Sequence, residues 1–158
     1  MEGSSFEQDA FFAALARAQA VLIGRAALVA YGLPVVTADY DVWLDIDGIQ
    51  AFNEALAPLG LVPNRTPAEA RARGRYVLEN DERVDVVVGR TFAGLSFAEV
   101  WARREVVPYG IGGIELSLAS IADLIQMKTE AGRPKDLQDV EQLRALLAER
   151  NGGGGDDD

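Results

Sequence analysis

The sequence predicts a mixed α+β domain over residues 1–150, and three features point to that class. Short apolar segments rich in β-branched residues alternate with segments whose apolar residues recur at helical spacing. Several of the short segments are separated only by tight turns, which is typical of hairpins. Two helical segments close the domain. The remaining residues, 151–158, read NGGGGDDD and are predicted to form a flexible acidic tail.

The helix boundaries follow from capping residues. Ser5, Ser96 and Ser120 are each followed three residues later by an acid or an amide, the pattern of a capping box at a helix start. Gly32 and Gly132 stand where a helix C-cap is expected. The predicted helices cover residues 5–19, 25–32, 48–60, 97–104, 121–132 and 134–150.

The predicted strands form two hairpins and two isolated segments. Residues 80–82, which read NDE, join one pair of strands, and the glycine-rich residues 110–113 join the other. Pro108 lies inside the second hairpin, so that hairpin is expected at a sheet edge. The predicted strands cover residues 21–24, 40–46, 75–79, 83–89, 105–110 and 113–117.

Composition excludes several kinds of chemistry. The chain has no cysteine and no histidine, which rules out disulfides, thiolate metal sites and Ser-His-Asp catalysis. Any reaction must therefore use carboxylates, lysine, arginine, hydroxyls and a hard metal ion. The formal net charge of −10 means that a polyanionic substrate needs a local basic patch or a divalent cation.

No targeting or membrane segment is visible in the sequence. The first ten residues, MEGSSFEQDA, lack the basic and apolar regions of a signal peptide. The longest apolar stretch, around residues 20–36, is interrupted by Gly24, Arg25, Gly32 and Pro34. We therefore expect a cytoplasmic protein that does not span a membrane.

Three aspartates are candidates for a metal site. Asp39 and Asp41 lie two apart in a predicted strand and so share one face of it, while Asp85 lies among valines in a later strand. All-oxygen ligation of this kind suits Mg²⁺ or Mn²⁺. The alternative for Asp39 and Asp41 is a solvated strand end, and for Asp85 an edge strand whose carboxylate faces water.

Two further segments fit the binding of phosphate. Gly24 lies between a predicted strand and a predicted helix, where backbone N–H groups are free to bind an anion. The segment KTEAGRPKD, residues 128–136, places Lys128, Arg133 and Lys135 around a turn between two helices. The alternative is a common strand–turn–helix connection and an ordinary solvated helix face, with Asp136 and Asp139 complementing the positive N-terminus of the last helix.

Together these motifs resemble the nucleotidyltransferase superfamily, that is, the minimal fold of DNA polymerase β. Its signature is an apolar residue and Gly followed by Gly or Ser, then Asp-x-Asp or Asp-x-Glu, then a third carboxylate on a later strand. The stretches VLIGRAALVAYGLPVVTADYDVWL and SLASIADLIQMKTEAGRPKDLQDVEQL are more closely similar to bacterial AbiEii-like and DUF6036-type nucleotidyltransferases. The resemblance covers residues 20–147 and implies a central mixed β-sheet with flanking helices and two C-terminal helices.

The resemblance also implies roles for the acidic residues. Asp39 and Asp41 would bind the Mg²⁺ (or Mn²⁺) that carries a nucleoside triphosphate, and Asp85 would assist a second metal ion or activate the acceptor hydroxyl. Asp136 would orient Lys128 or act on the acceptor. The reaction implied is attack of a hydroxyl on the α-phosphate with release of pyrophosphate.

The basic residues would bind the nucleotide. Lys128 would contact the triphosphate, and Arg133 and Lys135 would extend the anion site. Gly24 would approach the phosphates, and the following Arg25 would either bind phosphate or fill the pocket. Thr37 is open to two interpretations, a hydrogen bond near the metal site or the start of a strand.

Two positions depart from the family pattern and bear on activity. Arg25 replaces the second small residue after the apolar position, and Val35 replaces an arginine that usually stands two before Thr37. The acceptor is open: RNA, a protein hydroxyl or a small molecule, in a toxin–antitoxin context or as a homodimer. The alternative function is a catalytically inactive relative that binds a nucleotide or a partner protein.

Overall fold

The computed structural model describes residues 2–37, 39–110 and 112–155, with the side chains of residues 8–152 in those ranges. The helices are α1 Glu2–Arg17, α2 Gly24–Ala30, α3 Ile49–Leu56, α4 Pro67–Arg73, α5 Phe97–Arg103, α6 Ile121–Ala131 and α7 Pro134–Gly155. The strands are β1 Val21–Ile23, β2 Asp39–Leu44, β3 Val62–Pro63, β4 Arg75–Glu79, β5 Arg83–Val88, β6 Thr91–Phe92, β7 Leu95–Ser96, β8 Glu105–Tyr109 and β9 Ile114–Leu118.

Seven of the strands form one mixed sheet in the order β3-β4-β5-β2-β1-β9-β8. The pairs β2–β5 and β1–β9 are parallel, and the other neighbours in the sheet are antiparallel. The short strands β6 and β7 form a separate hairpin. The predicted mixed α+β class and both predicted hairpins are confirmed, and Pro108 lies on the edge strand β8.

The central strand β2 divides into a polar half and an apolar half. Its last three residues, Val42, Trp43 and Leu44, are fully buried, whereas Asp39 at its start is exposed. A strand buried on both faces must be apolar throughout, which explains the sequence VWL. The carboxylates therefore lie where this strand leaves the core.

The two faces of β2 are covered by different elements. Trp43 packs edge-on against Phe97 of α5, with ring centroids 5.4 Å apart. Tyr40 points to the opposite face and packs against Phe11 of α1, at 4.5 Å. Since Asp41 shares the face of Trp43, α1 closes the other side of the sheet and leaves the aspartate face free for α6 and α7.

Some predicted boundaries are wrong. Helix α1 begins at Glu2, so Ser5 lies within the helix instead of capping it. Helix α7 continues to Gly155, beyond the predicted stop at Asn151, and the acidic residues 156–158 of the predicted tail lie outside the described residues. In the described ranges, no helix combines the length and the apolar character needed to cross a membrane.

One helix escaped prediction although it carries a clear start signal. Thr66 caps α4: its Oγ1 accepts a hydrogen bond from the backbone N–H of Glu69, and the Glu69 carboxylate accepts one from the N–H of Thr66. This is a complete capping box with Pro67 in the first turn. The helix is seven residues long and buries only Ala70, so it lacks the apolar periodicity by which helices are predicted.

Candidate functional site

One cavity of about 220 Å³ on the aspartate face of the sheet brings the predicted site residues together. We call it the carboxylate cavity. It lies between β1, β2, β4, β5 and the helices α2, α6 and α7. Its lining includes all ten predicted residues: Gly24, Arg25, Thr37, Asp39, Asp41, Asp85, Lys128, Arg133, Lys135 and Asp136.

Strand register sets the spacing of the carboxylates. Asp41 of β2 is the register partner of Asp85 in the neighbouring parallel strand β5, so the two side chains lie side by side on one face. Asp39 shares that face two residues earlier, at the rim of the sheet. Thr37 fixes the start of the strand: its hydroxyl donates to the carbonyl of Asp39 and accepts from its N–H. Thr37 thus lies just before β2 and also lines the cavity, so both of its predicted interpretations stay open.

Gly24 is required by its contact with Asp41. It has a φ of +66°, and a β-carbon at this position would lie 2.5 Å from Oδ2 of Asp41. Any larger residue would combine an unfavourable backbone conformation with a steric clash. The glycine thus lets the start of α2 approach the carboxylate closely.

Asp41 carries negative charge that its surroundings do not neutralise. Burial, followed by the charges of Asp85 and Asp39, raises the pKa of Asp41 to about 6, and the cations Lys128 and Arg75 offset this only in part. A carboxylate destabilised in this way is stabilised when a cation binds beside it. The oxygen donors and the excess negative charge fit a hard divalent ion such as Mg²⁺.

Asp85 is held by an arginine of its own strand. Its Oδ1 accepts a hydrogen bond of 3.1 Å from Nη2 of Arg83, and Nε of Arg83 lies 3.3 Å from both carboxylate oxygens. Its side chain is 26% exposed, so the ion pair is partly solvated. Among the residues that the structure describes, no three acidic side chains are already arranged to hold a metal ion. The three-carboxylate ligand set stays a prediction, because Asp85 faces Arg83 here.

The opposite wall of the cavity is a buried ion-pair network between α6 and α7. Nζ of Lys128 lies 2.9 Å from Oδ2 of Asp139 and 3.5 Å from Oδ1 of Asp136. Both aspartates are 1% exposed, and Lys128 is 10% exposed. Lys128 is therefore held by two carboxylates of α7, and little of its surface is open to the cavity.

Arg25, one of the two departures from the family pattern, pairs with an aspartate of α7. Its Nε and Nη2 donate to the two oxygens of Asp139, both at 3.0 Å, and its Nη1 donates to the carbonyl of Val36. This bidentate pairing is the geometry that an arginine provides and a lysine cannot. The guanidinium is thus anchored on α7 and ties the start of α2 to the last helix.

The network holds its acids in the charged state. Burial alone raises the pKa of Asp139, but hydrogen bonds from Arg25 and Lys128 outweigh it and hold that pKa below its ordinary value. Asp136 behaves in the same way: hydrogen bonds from Arg133 and the charge of Lys128 lower its pKa against the effect of burial. Both carboxylates are therefore fully paired, unlike Asp41.

The rim of the cavity is basic and exposed. Nε of Arg133 lies 2.6 Å from Oδ2 of Asp136, and the backbone N–H of Arg133 donates to the same oxygen. The side chain of Arg133 is 63% exposed, and Lys135 is exposed beside it. Both are placed where an anion entering the cavity would meet them.

Sequence reasoning missed two residues of this site. Asp139 was interpreted only as a charge near a helix N-terminus, although it holds both Arg25 and Lys128. Arg75 of β4 also lines the cavity and was not singled out. The predicted hairpin could have indicated Arg75. Its register pairs Arg75 with Val87, which lies two residues from Asp85 on the same face of the sheet.

Comparison with known proteins bears on the fold. No protein-family model matches the chain, and no curated protein matches it. Among solved structures, the chain is similar to the crystal structure of a proposed nucleotidyltransferase from Thermotoga maritima, with a TM-score of 0.51 and 19% sequence identity over 82% of each chain. At this identity the likeness concerns the fold alone. The chain therefore has a mixed α+β fold of the nucleotidyltransferase type.

Proposed function

We propose that the protein is a metal-dependent nucleotidyltransferase that transfers a nucleoside monophosphate from a nucleoside triphosphate to a hydroxyl acceptor. The observation that carries the proposal is the pairing of Asp41 with Asp85 beside Gly24, in which Asp41 keeps an uncompensated charge. The fold of the nucleotidyltransferase type gives independent support. The sequence resemblance to AbiEii-like enzymes makes the proposal more specific.

In this proposal Asp39 and Asp41 hold Mg²⁺ or Mn²⁺, and Asp85 completes the ligand set when Arg83 releases it. A bound divalent ion supplies positive charge that stabilises the attacking and leaving oxygens. The exposed Arg133 and Lys135 bind the phosphate chain at the rim. Lys128 contributes its positive charge from the helix wall of the cavity, where Asp136 and Asp139 fix its position.

The chemical step follows from these roles. The acceptor hydroxyl gives its proton to the carboxylate of Asp85, and its oxygen forms a bond to the α-phosphorus. The bond between the α-phosphorus and the bridging oxygen breaks, and pyrophosphate leaves with the electron pair. No histidine is needed, which agrees with the composition.

The acceptor is the least constrained part of the proposal. RNA, a protein hydroxyl and a small molecule all fit the reaction, and the resemblance to AbiEii-like proteins favours a toxin–antitoxin context with a partner protein or a homodimer. The net charge of −10 disfavours a large RNA that binds without a partner chain.

The second candidate function is a catalytically inactive protein that binds a nucleotide or a partner. Two observations favour it. Arg25 has its guanidinium fork engaged by Asp139, and Asp85 is engaged by Arg83. If these pairs persist when a nucleotide is bound, the protein retains an anion site but lacks a free third carboxylate.

The test is Mg²⁺-dependent transfer of label from α-labelled nucleoside triphosphates to RNA, to protein or to the chain itself. We expect transfer by the wild type and none by the Asp39→Ala/Asp41→Ala variant. Nucleotide binding with no transfer to any of these acceptors would favour the inactive alternative. Absence of any metal-dependent nucleotide binding would contradict the transferase and leave only the partner-binding form of the second candidate.

A further inference from the structure

Arg75 differs from most cations that line the carboxylate cavity, because it is not bound to a carboxylate. Arg25, Lys128 and Arg133 are each paired with Asp136 or Asp139. Within the ranges that the structure describes, the side chain of Arg75 makes no ion pair or hydrogen bond, and its guanidinium is available to a ligand. Lys135, on the opposite rim, shares this property.

Strand register places Arg75 beside the reacting side of the site. In the β4–β5 pair, Arg75 lies opposite Val87 and Val77 lies opposite Asp85. Arg75 is therefore a diagonal neighbour of Asp85 on the same face, a separation of roughly 7–8 Å that a long side chain spans. The sheet order β4-β5-β2-β1 puts Arg75 on one flank of the Asp85–Asp41 pair and Gly24 on the other.

The backbone of Arg75 is fixed although its side chain is exposed. Its carbonyl accepts a hydrogen bond of 3.1 Å from Nη1 of Arg65. The preceding Gly74 has a φ of +75°, ends α4, and accepts a hydrogen bond of 2.9 Å from the N–H of Val88. The side chain thus extends from an anchored backbone, which needs no ordering of its own when the side chain binds.

Arg75 and Asp41 line the same cavity. Yet no hydrogen bond joins the two side chains within the described residues. An arginine that faces a carboxylate without touching it leaves room between them for an anion bound to a metal ion. A phosphate oxygen accepts hydrogen bonds from a guanidinium in a bidentate arrangement.

We propose that Arg75 binds the α-phosphate of the nucleotide, whereas Lys135 binds the β- and γ-phosphates. This inference rests on the proposed function. If the terminal phosphates bind near Gly24 and Lys135, the α-phosphate lies closer to Asp85. Arg75 lies on this same flank of the site. Arg75 is then the residue that neutralises the phosphate under attack.

The experiment measures dissociation constants in Mg²⁺ for the nucleoside triphosphate that the wild type binds most tightly and for the matching monophosphate. The variants are Arg75→Ala, Lys135→Ala and the control Arg73→Ala, which removes an exposed charge outside the cavity. A charge-assisted hydrogen bond to phosphate predicts a roughly 10- to 100-fold loss of affinity for Arg75→Ala with both ligands. Lys135→Ala should weaken only the triphosphate.

The outcomes separate the inference from the proposed function. If the wild type binds the triphosphate but Arg75→Ala matches Arg73→Ala, the inference is wrong and the function stands. A loss confined to the triphosphate, or no monophosphate binding by the wild type, would overturn the assignment to the α-phosphate. If the wild type binds no nucleotide, both proposals fail. Urea unfolding of each variant checks that the fold is intact.

Discussion

Replacing Asp41 with asparagine should stabilise the metal-free protein at neutral and alkaline pH. Burial and the neighbouring acids Asp85 and Asp39 raise the pKa of Asp41 to about 6 in the folded protein, from 3.8 in the unfolded chain. The folded state therefore binds more protons than the unfolded state between these two values. The free energy of unfolding falls as the pH rises through this window and reaches its full loss above the folded pKa.

The magnitude follows from the shift. About two pKa units correspond to a loss of roughly 3 kcal/mol near pH 8 and roughly 1 kcal/mol near pH 4.5, both upper bounds. The asparagine side chain cannot ionise, so the variant removes this penalty while keeping nearly the same shape. Urea unfolding of the wild type and of Asp41→Asn at both pH values measures the difference.

The control is Asp47→Asn, which removes the same charge from an exposed position outside the cavity. We expect a gain of about 1–3 kcal/mol for Asp41→Asn near pH 8 and a smaller gain near pH 4.5. A gain that is equal at both pH values, or no gain over Asp47→Asn, would refute the electrostatic reasoning. Added Mg²⁺ should stabilise the wild type and leave Asp41→Asn unchanged, since ligand binding stabilises only a protein that can bind.

Two further predictions concern the supports of the site, and both are measured by urea unfolding. Gly24→Ala should lower the free energy of unfolding by about 2 kcal/mol or more, because its β-carbon would clash with Asp41. The control Gly32→Ala, at a φ of +90° but with open space around it, should lower it by less. Equal losses for the two variants would mean that no clash exists. Asp139→Asn should cost about 3–5 kcal/mol, because it removes a charged partner from Lys128 and Arg25. Since the pKa of Asp139 is lowered in the folded protein, this cost should shrink as the pH falls below about 4; a cost independent of pH would contradict the ion pair.

The parts of the site that depend on local periodicity were predictable from the sequence. The period of two in a strand placed Asp39 and Asp41 on one face before any neighbour was known. The NDE turn predicted the β4–β5 hairpin, which the structure confirms. The sequence could not show that β5 pairs in parallel with β2, because this contact depends on the whole sheet, and that pairing is what brings Asp85 beside Asp41.

The role of Asp139 was not predictable for a related reason. Its partner Arg25 is 114 residues away, and the contact exists only because α7 packs against the start of α2. A lone acid in the first turns of a helix is most simply a response to the helix dipole, and nothing local distinguishes that case. The substitution of Arg25 for a small residue was visible, but its compensation by Asp139 was not.

The two walls of the cavity differ in how well their charges are balanced, and this difference bears on the proposed ligand. On the helix wall, Asp136 and Asp139 are fully paired, and their lowered pKa values mean that a further cation gains little there. On the sheet wall, Asp41 remains short of positive charge. Within the described residues, Arg75 at the margin of this wall and Lys135 at the rim of the helix wall have no carboxylate partner. A free triphosphate would be repelled by Asp41, and a free metal ion would leave both margins unsatisfied. A metal–triphosphate complex would satisfy all three at once, and this supports the proposed binding of a nucleotide together with its metal ion.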